Sequence, residues 1–234
     1  MQTETPFSFS WQGRQHQLYL HPPGEYLSDR IRERGTWYED ELLAATLQML
    51  PPGAQWIVDV GANVGNHTRF WAEILPQATV WAFEPHPENY PLLELNIKGL
   101  ENVVLFHHAL GNSPREIHLT VNKTNMGKVG SAEHNTGGAP YIVAVHRLDD
   151  LAAGQAPQLP LTLIKLDVEG MEEEVLRGAA ALIDQHKPIL LIEANDLRHL
   201  GQLLDCVTTW GYVLTARHNA YANAPTFEFR YRPA

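Results

Sequence analysis

The sequence predicts an α/β fold built on one open, mainly parallel sheet with helices on both faces. Three observations predict it. Apolar runs at 56–60, 79–83, 103–106, 161–166 and 189–192 are short, rich in β-branched residues and nearly uninterrupted, as strands buried on both faces should be. Helical patterns at 67–75, 87–98 and 170–184 lie between them, with another at 196–211. This alternation of strand and helix is the signature of parallel βαβ units. The chain of 234 residues is of a size for one large domain, and it shows no repeat and no domain-scale linker.

Taken in order, residues 7–11 and 17–21 are β-like runs flanking Gln12-Gly13-Arg14, which reads as a hairpin. Residues 1–36 are therefore set apart as an N-terminal hairpin extension, and 37–234 as the main body of a single globular domain. The 39–49 segment carries Leu42, Leu43, Ala45 and Leu47 on a helical face and stops at Pro51-Pro52-Gly53. Between the third and fourth buried strands, 116–121 and 141–146 read as an inserted β pair. They are joined by 122–140, which is rich in Gly, Asn, Ser and Thr. A connection that long points to a lid or to disorder. The last two strands, 212–216 and 226–231, have no helix-length link and should be antiparallel.

Seventeen Lys and Arg against 27 Asp and Glu give a net charge of −10, which twelve histidines would raise to +2 if all were protonated. An acidic chain with no basic block is repelled by phosphate, so neither nucleic acid nor an anionic membrane is an expected partner. The single cysteine, Cys206, excludes an internal disulfide framework, and Leu203, Leu204 and Val207 around it suggest a buried thiol in a helix. The N-terminus has no basic segment leading into an apolar run, and no stretch approaches 18 apolar residues. Signal peptide and membrane span are not expected, and the expected compartment is the cytoplasm.

The strongest local signal follows the first buried strand. Asp59-Val60-Gly61-Ala62-Asn63-Val64-Gly65 places glycines where a backbone must turn tightly and approach a ligand, at the C-terminal edge of the sheet. It is similar to a dinucleotide fingerprint, yet Asn63 replaces the middle glycine and Asp59 would repel a pyrophosphate. The expected ligand is nucleoside-like and cationic. Glu84 ends the second strand, about 20 positions on, where an acid can accept hydrogen bonds from both ribose hydroxyls.

These motifs, together with Phe83-Glu84-Pro85, the run Ile164-Lys165-Leu166-Asp167-Val168-Glu169-Gly170-Met171-Glu172, and Val175-Leu176-Arg177-Gly178-Ala179, resemble the FkbM family of S-adenosylmethionine-dependent methyltransferases. Trp37-Tyr38-Glu39 and Trp210-Gly211-Tyr212 extend the likeness towards both ends. The resemblance implies a class I methyltransferase (Rossmann-like) sheet of strand order 3-2-1-4-5-7-6 with strand 7 antiparallel. It implies S-adenosyl-L-methionine as cofactor and a hydroxyl of a small molecule, a sugar or natural-product scaffold, as methyl acceptor. On the site, it implies that Asp59, Gly61, Asn63, Gly65 and Asn66 form the methionine-side pocket and that Glu84 clamps the ribose. Pro85 and His86 would wall the adenine, and His108 and Ala109 would hold its edge. Glu39 is either a carboxylate at a helix start or a group closing over the cofactor.

An unactivated alcohol needs a base or a metal to take or acidify its proton. Asp167 and Glu169, after the fourth strand, and Glu193 and Asn195, after the fifth, are the candidates. Two versions stand: a carboxylate base, Asp167 or Glu169, and a Mg²⁺ ion held by oxygen ligands from both strands. The bland reading of Asp167 and Glu169 is a cap and first-turn charge on the following helix, and Lys165, on the same strand face as Asp167, could pair with it. The histidines show no His-Glu-x-x-His pattern and no His/Cys cluster, which argues against zinc. Two rival functions are a nicotinamide-dependent oxidoreductase and a methyltransferase-like binding protein without turnover. No motif encodes the acceptor, and the oligomeric state is left open.

Overall fold

The computed structural model describes residues 5–119, 141–168, 170–218 and 225–233. The 122–140 segment and Glu169 lie outside the described residues. The chain opens with β1 (Phe7–Trp11) and β2 (Arg14–Leu18), an antiparallel hairpin in which Trp11 pairs with Arg14. The turn is Gln12-Gly13 alone, with φ of 47° and 78°, the mirror-image turn whose twist matches a hairpin. Because two residues suffice, the second strand runs over 14–18 and not 17–21.

Helix α1 (Tyr26–Arg34) has no counterpart among the expected elements. It buries only Ser28 and Ile31, so its apolar stripe is too thin to announce it. It is defined by its ends: the Glu25 side chain accepts from the N–H groups of Leu27 and Ser28, and Gly35 closes it in the left-handed region. The chain continues through α2 (Asp40–Met49), β3 (Gln55–Val60), α3 (Asn66–Ile74), β4 (Ala78–Phe83), α4 (Tyr90–Ile97) and β5 (Val103–Phe106). Next come β6 (Ala109–Leu110), β7 (Arg115–Leu119), β8 (Tyr141–His146), α5 (Leu148–Ala152) and β9 (Leu161–Leu166). The last third holds α6 (Glu172–Gly178), α7 (Ala180–His186), β10 (Ile189–Glu193), α8 (Leu197–Thr208), β11 (Tyr212–His218) and β12 (Thr226–Tyr231).

Seven strands form the main sheet in the order β5-β4-β3-β9-β10-β12-β11. Strands β5, β4, β3, β9 and β10 pair in parallel, and β12 is antiparallel to both of its neighbours. With its seven strands numbered in chain order, the sheet reads 3-2-1-4-5-7-6, the class I methyltransferase arrangement. The inserted β pair is three-stranded: β8 pairs with β7 antiparallel and with the short β6 in parallel. The expected 170–184 helix is two helices. It breaks at Ala179 because the Asp149 carboxylate, from α5, accepts from the N–H groups of Ala181 and Leu182 and so starts α7 afresh. At the same point a Cβ on Gly178 would sit 2.0 Å from the Gly111 carbonyl oxygen, so only glycine lets the insertion pack this closely.

All six residues of β3 are buried, and their side chains alternate between two cores. Trp56, Val58 and Val60 join Trp81, Phe83, Ile164 and Ile192 on the face covered by α5–α8. Ile57 joins Val80, Leu163, Leu191, Phe70 and Trp71 on the other. The hairpin completes this second core: Phe9 meets the Trp37 ring edge-on at 4.9 Å, and the Asn96 amide clasps Tyr19 N–H at 2.6 Å and Tyr19 C=O at 2.8 Å. Cys206 is buried on α8. No helix among the described residues is long and apolar enough to cross a membrane.

Candidate active site

The C-terminal ends of β3, β4 and β9 open into one cleft. Gly61 leaves β3 with φ 78°, and a Cβ there would lie 1.9 Å from the Asp167 carbonyl oxygen. Only glycine lets the β3 turn cross the end of β9 this closely. Asn63 follows at φ 53°, stabilised by its own Oδ1 accepting from Val64 N–H at 2.7 Å. This backbone aims the Asn63 N–H at Glu84 Oε2, 2.7 Å away. The second Glu84 oxygen accepts from His86 N–H at 2.7 Å.

Glu84 is 4% exposed. Burial pushes its pKa up to about 7, against the lowering effect of the two N–H groups, Asn89 and the Lys165 charge. A carboxylate has about four acceptor sites; two go to the backbone and the Asn89 amide donates to Oε1 at 3.5 Å, which leaves part of its acceptor capacity for a ligand. Around it is a cleft of about 600 Å³ including its open mouth. Of the expected residues, Gly61, Asn63, Glu84, Pro85, His108, Ala109 and Asp167 line it. Burial lowers the pKa of His108, helped by His146, whose ring centre is 4.6 Å away.

The other expected residues lie behind the wall. Asp59 is fully buried, accepts from the Thr68 hydroxyl at 2.6 Å and lies 3.4 Å from the Lys165 ammonium. Asn66 spends its amide on the Tyr38 backbone, accepting at 3.0 Å and donating at 2.9 Å. Gly65 packs beneath the turn, where a Cβ would meet Leu93 Cδ1 at 2.6 Å. His86 is 1% exposed, and its Nδ1 accepts from Glu88 N–H at 3.2 Å. Glu39 precedes α2 in the left-handed region with no side-chain capping bond, and its carboxylate lies 3.0 Å from His67 Nε2. These residues shape the site from below and are absent from its lining.

Lys165 is the hub of that lower layer. Its ammonium donates to the Gly61 carbonyl at 3.1 Å and lies 3.4 Å from Asp59 and 3.5 Å from Asp167. Although burial opposes the charge, Asp59, Asp167, Glu39 and Glu193 hold the pKa above its ordinary value. Glu193, half-buried at the end of β10, contributes through this field, and Asn195 is exposed; neither lines the cleft. This arrangement does not fit a Mg²⁺ ion. Among the described residues no three His, Cys, Asp or Glu side chains come together as ligands, and the space between Asp59 and Asp167 already holds an ammonium.

Two features have no counterpart in the sequence reading. Ile117 and Leu119 of β7 line the cleft with Met171, so the inserted sheet is one of its walls; their period-two spacing marked a strand face and nothing marked what it would cover. Glu172 is 1% exposed, accepts from Val168 N–H at 3.2 Å and Gly170 N–H at 3.0 Å, and lies 3.1 Å from His199 Nε2. Glu172 stood in a motif without a role, and His199 in none.

Comparison with known proteins bears on residues 59–214, which match the Methyltransferase FkbM domain. Methyltransferase 1 of Beauveria bassiana is 34% identical over 158 residues, 58% of this chain and 61% of the relative. The hexuronic acid methyltransferase AglP of Haloferax volcanii is 29% identical over 121 residues, 51% of this chain and 48% of the relative. The 2-O-methyltransferase NoeI of Sinorhizobium fredii is 26% identical over 165 residues, 63% of this chain and 66% of the relative. The chain thus spans about half to two thirds of the length of these curated relatives. Among solved structures, methyltransferase FkbM from Methylobacillus flagellatus superposes with a TM-score of 0.52 at 21% identity, covering 77% of this chain and 45% of that one.

Proposed function

The chain belongs to the FkbM methyltransferase family, and from that premise we propose that it transfers a methyl group from S-adenosyl-L-methionine to a hydroxyl of a small molecule, a sugar or natural-product scaffold. The observation that carries the reading is Glu84: a buried carboxylate on the cleft wall, held by two backbone N–H groups and the Asn89 amide, with acceptor capacity left for the ribose. Glu84, Asn63 and Gly61 would hold the ribose side of the donor, and Ile117, Leu119 and Met171 offer an apolar face for its base. The fit is supported by the Gly61 and Asn63 turn, which lines the cleft beside Glu84, and by four carboxylates around one ammonium, a surplus of negative charge suited to a cationic ligand. When bound, the donor supplies an electrophilic methyl carbon on a sulfonium.

Asp167 lines the cleft while its carboxylate is engaged by Lys165 at 3.5 Å. We assign it orientation of the acceptor hydroxyl, because a group fixed in this way contributes by positioning, which supplies roughly 7–11 kcal/mol in favourable intramolecular models. The sugar acceptor is supported by AglP and NoeI, whose names specify a hexuronic acid and a 2-O position. The net charge of −10 supports a small acceptor over a nucleic acid, and we place the protein in the cytoplasm on its single cysteine.

Calorimetry with S-adenosylhomocysteine, followed by transfer of labelled methyl from S-adenosylmethionine to a panel of methyl hexuronides and methyl hexosides, tests the reading. Binding of S-adenosylhomocysteine and label in an ether are expected. Tight binding of NAD with none of S-adenosylhomocysteine would overturn it in favour of an oxidoreductase. Binding without transfer to any acceptor would leave a methyltransferase-like binding protein.

A further inference from the structure

Glu84 and Gly61 place the donor on the β3/β4 side of the sheet edge, so the acceptor belongs over the ends of β9 and β10. Two imidazole–carboxylate pairs stand near that side among the described residues, His218 with Glu228 on β11 and β12 and His199 with Glu172, and of the two carboxylates Glu172 is the one bound to the backbone of the cleft wall. Glu172 Oε1 accepts from Val168 N–H and Oε2 from Gly170 N–H, which fixes the carboxylate directly behind the cleft wall that Val168 and Met171 form. His199 stands on the first turn of α8, where Asp196 accepts from its backbone N–H at 2.8 Å. Its Nε2 is 3.1 Å from Glu172 Oε2, an oxygen already acting as an acceptor. A ring nitrogen can approach such an oxygen favourably only as N–H, which leaves the lone pair on Nδ1. Nδ1 has no hydrogen-bond partner among the described residues.

Resting on the methyltransferase reading above, we propose that His199, oriented by Glu172, is the general base that takes the proton of the acceptor hydroxyl. In that step the acceptor oxygen bonds to the methyl carbon, and the carbon–sulfur bond breaks with its electron pair passing to sulfur. The hydroxyl proton goes to His199 Nδ1 and from there to solvent. Two structural facts favour this pair over the carboxylates. Asp167 is engaged by an ammonium, whereas His199 is partnered by an anion, which stabilises the imidazolium that proton transfer creates. And Glu172 is the one charged group of the elements packed closest to α8 that is committed to His199. On α6, Glu173 pairs with Arg177 and Glu174 with Arg115. On β11, His218 pairs with Glu228, and Arg217 lies over the Phe227 ring. On α8 itself Asp196 is spent as the cap, and Arg198 is exposed.

The variant His199→Gln keeps an N–H for Glu172 and removes the base, and three readouts bear on it. In the ligand-free wild type, ¹⁵N spectra at alkaline pH are expected to show the neutral ring protonated at Nε2; protonation at Nδ1 would overturn the proposal. Calorimetry is expected to give the variant an S-adenosylhomocysteine affinity within about twofold of wild type, which also certifies its fold. With whichever methyl hexuronide or hexoside the wild type methylates, kcat is expected to fall about 100-fold or more at nearly constant KM, in the range of lost general-base catalysis, with the acid limb of the kcat profile gone and activity partly restored by added imidazole. Turnover within about threefold of wild type and an intact acid limb would refute the base assignment while leaving the methyltransferase reading in place. A wild type that binds S-adenosylhomocysteine and methylates no acceptor would sink that reading, and this one with it.

Discussion

Binding of S-adenosylhomocysteine should tighten as pH rises from 6 to 8, and Glu84 sets the size of the effect. Its remaining acceptor capacity serves the ribose hydroxyls only when the group is ionised, and burial holds its pKa at about 7 in the free protein. The ionised fraction is then about one tenth at pH 6 and nine tenths at pH 8, a tenfold change in affinity or about 1.4 kcal/mol. The same shift acts on stability with the opposite slope. The folded carboxyl binds a proton that the unfolded one, with its ordinary value of 4.5, has already released, so ligand-free stability falls as pH climbs from about 4.5 to about 7, by up to about 3 kcal/mol. Bound ligand should offset part of that loss. Calorimetry across the pH range, with thermal unfolding in parallel, reads both effects. Glu84→Gln should flatten the affinity profile and weaken binding at pH 8 by about 1.5–3 kcal/mol, the range for a hydrogen bond to a charged group. His86 and His108 are both pushed below their ordinary value by burial, and the Gln variant separates their titration from that of Glu84. A wild-type affinity that does not change with pH would refute the ribose clamp.

Other perturbations reach different parts of the site. Gly61→Ala introduces a Cβ 1.9 Å from the Asp167 carbonyl oxygen at φ 78°; a stability loss of at least about 2 kcal/mol and loss of S-adenosylhomocysteine binding are expected from denaturant unfolding and calorimetry. Lys165→Met leaves Asp59 and Asp167 buried or half-buried without their cation and should cost about 3–5 kcal/mol in the same unfolding assay; a variant as stable as wild type would show that the ammonium is dispensable. Exhaustive chelation should leave methyl transfer unchanged, because Lys165 already supplies the positive charge between the acids; restoration of a lost activity by Mg²⁺ would contradict this.

How much of this was legible depended on how local each cause was. The parallel strands of the main sheet announced themselves because burial on both faces leaves few polar residues, as in 79–83 and 189–192, and the bounds expected for 161–166 and 226–231 agree with β9 and β12. Helix α1 stayed hidden because its capping acid and terminal glycine, not an apolar face, define it. The α6/α7 break was invisible because its cause, Asp149, is distant in sequence. The site divided in the same way. Gly61 and Glu84 were readable, since a tight turn and a strand-end acid are local demands. Residue type did not reveal that Asp59, Asn66 and His86 face inward, beneath the cleft. Nor could it bring Ile117 and Leu119 to the wall or His199 to Glu172, because those meetings depend on where whole elements pack.

The most direct test is a crystal structure of the protein with S-adenosylhomocysteine bound. The account predicts both ribose hydroxyls within hydrogen-bond distance of the Glu84 carboxylate, the Asn63 N–H still on Glu84, and the base against Ile117 and Leu119. A nucleoside bound elsewhere, or a ribose making no contact with Glu84, would contradict it.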